Sequence, residues 1–269
     1  MSILNLRQAQ TTPIVNDIDT LQSIEINPID NCNRSCSFCP RGHGYPNTKN
    51  KLEKTTSLSI NRSLVDIGYQ GRIGFVGFGE PTLHKQLAEQ ISTVTNNVDA
   101  AWVEINTNGD FINRGIITNY IDNGLTHLTI SMYDKNDSDK FYDMVDGLNV
   151  TLTLRHCYKG IDAPVNRVEQ YIDSTHINKK HPCYLPFYKM MIDYNGDVLL
   201  CANDWNKTTV LGNVNESTIQ DIWFSSNYKH YRRMLLNNQR SMSPCSKCDI
   251  DGTLLGEERF EYFRNLYNE

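Results

Sequence analysis

The sequence predicts an α/β protein built on parallel strands, with a small cysteine-bearing extension at its C-terminal end. Three observations predict it. From about residue 21 to 157, short β-branched or aromatic-rich runs alternate with stretches of helical spacing. Such alternation implies right-handed β-α-β crossovers, in a doubly wound sheet or in a full or partial barrel. Past about residue 160 the alternation stops, and two alternating runs around Asn195-Gly196 follow instead. Finally, the eight cysteines fall into groups of three, one and four.

The expected strands are "SIEINP" (23–28), "RIGFVGFG" (72–79), "AWVEINTNG" (101–109), "HLTISMYD" (127–134) and "NVTLTLRHC" (149–157). Each is rich in strand-forming residues and ends in or near a turn former. Helical spacing occupies 58–69, 84–96, 113–123 and 138–146, where for example Ile116, Ile117, Tyr120 and Ile121 share a face. "FYKMMIDYNGDVLLCAND" reads as a hairpin with a primed turn at Asn195-Gly196. One helix is expected over 217–237 and a last one near 257–267. The chain divides on this reading into a core, residues 1–180, and an extension, residues 181–269. Five core strands are visible, and a sixth would have to lie between 158 and 180 unless the sheet is truncated.

Composition narrows the classes. With 269 residues, 39% hydrophobic and 21% charged, the chain can bury a real core. No stretch approaches the ~18 apolar residues of a membrane span. The N-terminus "MSILNLRQAQTTPIVND" has no basic region followed by an apolar run and a cleavage site, so a cytoplasmic location is expected. A net charge of −5 argues against a nucleic-acid partner, which needs a basic face. The basic run "KNKLEK" (49–54) reads as a solvated loop. In a reducing compartment eight cysteines point to metal ligands or reactive thiols, not disulfides.

Cys32, Cys36 and Cys39 follow the first strand, at the end where α/β proteins place their ligand sites. Three thiolates can hold three irons of a four-iron cubane and leave the fourth open, much as a catalytic zinc keeps a free position. On spacing alone a zinc site completed by His43 fits as well. The wider pattern is narrower. C-x3-C-x-aromatic-C, here Cys32, Cys36, Phe38 and Cys39, resembles the hallmark of the radical S-adenosylmethionine (SAM) enzymes. "GFGEP" (77–81) is similar to that family's GGEP motif, with Phe78 where glycine is usual and Gly79, Glu80 and Pro81 in register. "NTNG" (106–109), with Asn106, Thr107 and Asn108, resembles the segment near the SAM ribose, and Ser131 in "TISMYD" stands where a ribose contact is common. Each of these short motifs is weak alone, and their order behind successive strands carries the resemblance. It implies a partial (β/α) barrel, a SAM-binding [4Fe-4S] cluster and hydrogen abstraction by a 5′-deoxyadenosyl radical.

Cys183, Cys201, Cys245 and Cys248 would close a metal site completely. A four-cysteine zinc is the plain alternative. Their order and spacing resemble the twitch domain, the shortened form of the SPASM extension, a β-hairpin plus helix. The resemblance is strongest to dehydrogenases of the 2-deoxy-scyllo-inosamine type, and it implies one fully ligated auxiliary [4Fe-4S] cluster. A closed cluster cannot bind substrate through iron, so it would accept an electron and complete a two-electron oxidation of a sugar, polyol or aminocyclitol alcohol. A peptide or protein maturase would use the same electronics. Only about 20 residues precede the first strand, too few for a folded leader-binding unit, which favours the small molecule. A flavodoxin- or ferredoxin-type reductant is implied. Arg155 is a candidate partner of the SAM carboxylate or ribose, and Arg167 a candidate for assisting proton loss, with surface salt bridges as the plain alternative. His43 and Tyr45 read as loop, Trp223 and Phe224 as helix core, and Cys157 as a buried small hydrophobe.

Overall fold

The computed structural model describes residues 21–133, 138–157, 182–248, 252 and 255–268. Arg167 and the whole 158–180 segment, where a sixth core strand was sought, lie outside them. Five parallel strands run in the expected order: β1 (Ser23–Ile26), β2 (Arg72–Phe75), β3 (Trp102–Thr107), β4 (His127–Met132) and β5 (Thr151–His156). The helices between them are α1 (Lys54–Asp66), α2 (Leu87–Thr95), α3 (Arg114–Asp122) and α4 (Ser138–Val145). The extension contributes β6 (Lys189–Ile192), β7 (Asp197–Leu199), β8 (Val210–Asn213), α5 (Ile219–Trp223), α6 (Ser226–Leu236) and α7 (Glu257–Asn268).

All eight described strands form one sheet in the order β5-β4-β3-β2-β1-β6-β7-β8. Among the described residues it does not close: β5 and β8 are its edges. β6 pairs parallel with β1, Ser23 opposite Lys189 and Ile26 opposite Ile192, so the hairpin continues the core sheet. β7 and β8 then add antiparallel. The turn between β6 and β7 departs from the primed type expected. Gly196 N–H donates to the Asp193 carbonyl, Asp193 N–H to the Asp197 carbonyl, and Gly196 has φ +91°. That is a three-residue loop with glycine in the left-handed position, which needs one residue more than a two-residue primed turn.

Two helix boundaries also differ. The stretch 217–237 is two helices, because Ser225 is extended and its hydroxyl accepts from Tyr228 N–H, which starts a new helix. Trp223 is fully buried, but Phe224, at the break, is 40% exposed and is not core. α1 begins four residues before the expected 58, because inward-facing Thr56 and Ser57 are polar and hid the periodicity; Ser57 Oγ donates to Gln90 Oε1 of α2 at 2.6 Å.

The two faces of the sheet differ in chemistry. Ile24, Ile26, Ile73, Phe75, Val103 and Ile105 are buried with the helices' apolar residues. The alternate positions turn inward and are polar. Arg72 Nε donates to Glu104 Oε2 at 2.7 Å and its Nη1 to Ser23 Oγ at 2.8 Å, while Lys189 Nζ donates to Glu25 Oε1 at 2.7 Å. Arg72 Nη1 also stands 3.5 Å from Glu25 Oε1. Gly74 makes this layer possible, since a Cβ there would lie 2.8 Å from an Arg72 guanidinium nitrogen. The guanidinium is held by the two acids and the serine, so it cannot swing aside freely. Gly74→Ala is expected to destabilise by about 1–3 kcal/mol, read as a lower urea midpoint at unchanged slope.

Candidate functional site

The loop carrying Cys32, Cys36 and Cys39 leaves the C-terminal end of β1 and is locked to the loops behind β2 and β3. At Gly79 a Cβ would stand 2.1 Å from the Ile29 carbonyl oxygen, so only glycine lets the loop behind β2 lie against the chain entering the cysteines. Glu80, 4% exposed, ties that loop to the next. Its Oε1 accepts from Thr82 N–H at 3.1 Å, from Thr82 Oγ1 at 2.6 Å and from Thr107 Oγ1, and its Oε2 accepts from Asn108 N–H at 2.8 Å. Burial pushes its carboxyl above the usual carboxylate range, against the pull of these donors. Pro81 opens the short 3₁₀ turn that presents Glu80.

Arg34, between the first two cysteines, forms a two-pronged pair with Asp110, Nε to Oδ2 at 2.6 Å and Nη2 to Oδ1 at 2.5 Å. Asp110 also accepts from Asn33 Nδ2 at 2.6 Å, and Asn108 Nδ2 donates to Asn33 Oδ1 at 2.8 Å. The hydrogen bond from Arg34 holds Asp110 below the usual carboxylate value. The Arg34 guanidinium lies 4.5 Å over the Tyr133 ring, and Phe38 stacks on that ring at 6.0 Å. The cysteine loop is therefore held on both sides by the protein's own side chains.

Cys32, Cys36 and Cys39 open onto a cavity of about 630 Å³, which Cys201 also lines. Phe38, Asn106, Ser131 and Arg155 contribute to its wall, and Ser131 Oγ lies 3.4 Å from Asn106 Oδ1. Its polar floor is Ser23, Glu25, Arg72 and Lys189. Cys157, expected as a buried hydrophobe, is half-buried and lines the same cavity beside Cys36 and Tyr133, because it stands just past the end of β5 at the sheet's edge. His43 is exposed, and its Nε2 is 2.5 Å from the Ser37 carbonyl oxygen.

The donor chemistry suits iron–sulfur clusters. Burial raises the Cys32 and Cys36 thiols, and each front thiol is close enough to a neighbour for their charges to interact in the case of Cys36 with Cys39 and Cys32. In the rear set burial raises Cys201 well above the usual thiol value and Cys245 to about 12, with Cys183 and Cys248 adding repulsion. Such crowded thiols release their protons to solvent only when a strong positive centre takes the thiolates as ligands. A Cβ at Gly252 would meet Cys183 Sγ at 2.2 Å, so the chain folds tightly over this set. Among the described residues no three His, Cys, Asp or Glu side chains converge on a single point. A cubane separates its thiolates onto different corners. The front three thiols, in one cavity with Asn106, Ser131 and Arg155, would hold a SAM-binding [4Fe-4S] cluster, and the rear four, close to one another, would hold a closed auxiliary one.

Sequence reasoning missed several residues that hold this site: Arg34, Asp110 and Tyr133 around the loop, and Glu25, Arg72 and Lys189 beneath it. The signal for the second group was available, since parallel strands buried on both faces normally read as unbroken apolar runs, and polar residues at every second position break that rule.

Comparison with known proteins agrees with the geometry. Residues 26–148 match the model of the radical SAM superfamily, and residues 183–249 match that of the SPASM iron–sulfur cluster-binding domain. The S-adenosyl-L-methionine-dependent 2-deoxy-scyllo-inosamine dehydrogenase of Niallia circulans is 25% identical over 244 residues, 89% of this chain and 96% of the relative. A GTP 3′,8-cyclase of Vibrio atlanticus is 28% identical over 149 residues, but the match spans only 54% of this chain and 43% of the cyclase. The crystal structure of BtrN in complex with AdoMet and 2-DOIA superposes with a TM-score of 0.74 at 25% identity, covering 88% of this chain and 96% of that one. The two cofactor sets follow from the two domains: SAM with its cluster in the first, an auxiliary [4Fe-4S] cluster in the second. The chain thus carries a radical SAM domain and, at its C-terminal end, a SPASM-type, twitch-like iron–sulfur domain.

Proposed function

We propose that the protein is a radical SAM dehydrogenase that oxidises one secondary alcohol of a small polyol, sugar or aminocyclitol to a carbonyl. One observation carries this reading: the three front thiols and Cys201 line a single cavity, whose floor is charged and hydrogen-bonding. The dehydrogenase relative from Niallia circulans, aligned over nearly its whole length, supports the same class. When bound, SAM with the first cluster supplies hydrogen abstraction, and the auxiliary cluster accepts the remaining electron.

The chain's own residues orient and exclude. Phe38, stacked on Tyr133, walls the cavity beside Arg34. We assign Asn106, Thr107, Asn108 and Ser131 to the SAM ribose, and Gly79, Glu80 and Pro81 to the amino group of its methionine moiety, with Glu80 also tying its loop to Thr107. Arg155, opposite Ser131 in the β4–β5 ladder, is assigned to the SAM carboxylate or ribose. Glu25 Oε1 and Lys189 Nζ face the cavity as an acceptor and a donor, the pair a hydroxyl-rich substrate needs. Arg167 remains the proposed aid to proton loss from the carbinol oxygen. We keep 1–180 as the catalytic core and 181–269 as the cluster-bearing extension. A cytoplasmic location and a flavodoxin- or ferredoxin-type reductant complete the reading; no helix among the described residues is long and apolar enough to cross a membrane.

The test is anaerobic turnover of the reconstituted protein with SAM, a strong reductant and a panel of aminocyclitols and polyols deuterated at each carbinol carbon. The expected result is one carbonyl product for each 5′-deoxyadenosine, with deuterium carried into the latter. 5′-Deoxyadenosine formed in step with a modified peptide, and with none of the polyols, would replace this reading by a maturase.

A further inference from the structure

The loop after the front cysteines and the loop after Cys201 are joined by a closed ring of buried and part-buried hydrogen bonds. Arg41, two residues past Cys39, is 6% exposed. Its Nη2 donates to Asp30 Oδ1 at 2.6 Å and its Nε to the Phe78 carbonyl at 2.7 Å. Asp30 Oδ2 accepts from Lys207 Nζ at 3.1 Å, and Lys207 Nζ stands 2.8 Å from Asp193 Oδ2. Asp193 Oδ1 accepts from Asn27 Nδ2 at 2.8 Å, and Asn27 Oδ1 accepts from Phe78 N–H at 3.1 Å, which returns the circuit to its start. The charges balance, two cations against two carboxylates.

Aromatic rings enclose the circuit. Lys207 Nζ lies 5.2 Å from the Phe78 ring centre and 4.7 Å from that of Tyr194. Trp205 meets Phe78 and Tyr45 edge-on at 5.1 and 4.9 Å. Phe78, the residue standing where the family motif has glycine, thus fills the space between the two loops. Buried charges tolerate no half-made network, so the ring holds its members in one arrangement. Lys207 belongs to the loop of the rear set, yet it grips Asp30 and the face of Phe78, which border the front one, as well as Asp193 and Tyr194 of the β6–β7 turn.

We propose that Lys207 is a positioning residue for the front cluster, so that the extension completes the SAM site as well as holding its own iron. This rests on the reading that Cys32, Cys36 and Cys39 hold a cluster. A residue that merely stabilised the extension would, when removed, loosen the rear cluster first.

The experiment compares the reconstituted parent with Lys207→Met, Lys207→Arg and the double variant Lys207→Met/Asp193→Asn. The double variant removes one charge of each sign and leaves the Arg41–Asp30 pair balanced, which protects folding. SAM affinity, the SAM-induced change in the EPR signal of the reduced front cluster, and the rate of iron release to a chelator are read for each. The expected result for both Met variants is SAM binding weakened on the order of tenfold, faster release of about half the iron and an unchanged rear signal, with Lys207→Arg closer to the parent. Parent-like SAM affinity and iron release in both, or loss confined to the rear cluster, overturns the proposal. A parent whose iron content is indifferent to Cys32→Ala would instead sink the cluster reading beneath it.

Discussion

Replacing Cys183 and Cys201 together with alanine is expected to lower the iron content from about eight to about four per chain and to abolish alcohol oxidation while SAM still binds. The two sets of thiols sit on different loops, and of the rear set Cys201 alone lines the cavity shared by Cys32, Cys36, Cys39, Asn106, Ser131 and Arg155. Removing two of four rear ligands leaves a cubane with half its anchors, in a pocket whose burial already disfavours free thiolates. The front loop keeps its own supports, Arg34 on Asp110 and Glu80 on Thr107 and Asn108. The substrate would therefore still lose a hydrogen atom, but the second electron would have no acceptor. Iron and sulfide analysis with product mass spectrometry checks both halves. Undiminished oxidation at four irons would show that the electron leaves by another route.

Arg72→Met is expected to destabilise the fold by about 3–5 kcal/mol, a fall in melting temperature on the order of 10 °C. Arg72 is buried and serves Glu104, Ser23 and Glu25 at once. A methionine fills the volume but leaves two carboxylates short of a cation. The pH dependence separates this cause from lost packing. In the parent, burial raises the Glu25 carboxyl, but Lys189 and Arg72 outweigh it and hold the group below its usual 4.5. A depressed carboxyl contributes stability that is present above pH ~4.5 and lost as the pH falls through the folded-state value. Without Arg72 the depression weakens, although Lys189 remains, so the variant is penalised most where the carboxyl is ionised. The stability gap between parent and variant should narrow in urea titrations as the pH falls below ~4.5. A gap independent of pH would mean that the loss is steric.

Much of the site was legible in the chain because its signals are local. Three thiols within eight residues must share one loop, and a glycine, glutamate and proline behind a strand must form a turn at its end, whatever the rest of the protein does. The alternation of strands and helices likewise dictated the parallel core, since each period is set by neighbouring residues. The boundaries failed where a local rule was overridden by a single residue: Ser225 split a helix by capping it, and Asp193 lengthened a turn by pairing with Asp197 across it.

What only the tertiary structure decided are the partnerships across the sheet. β6 could have been a free hairpin strand, and its alternating sequence is the same in either case; pairing with β1 made it part of the core. Lys189 met Glu25, Lys207 met Asp30, and Arg34 met Asp110 only because the sheet brings together residues 76 to 177 positions apart in the chain. The sequence by itself determined which thiols, loops and strands the protein has, because those depend on spacing along the chain. Which charges neutralise one another, and how the extension is fastened to the core, depend on distances in space that no periodicity encodes.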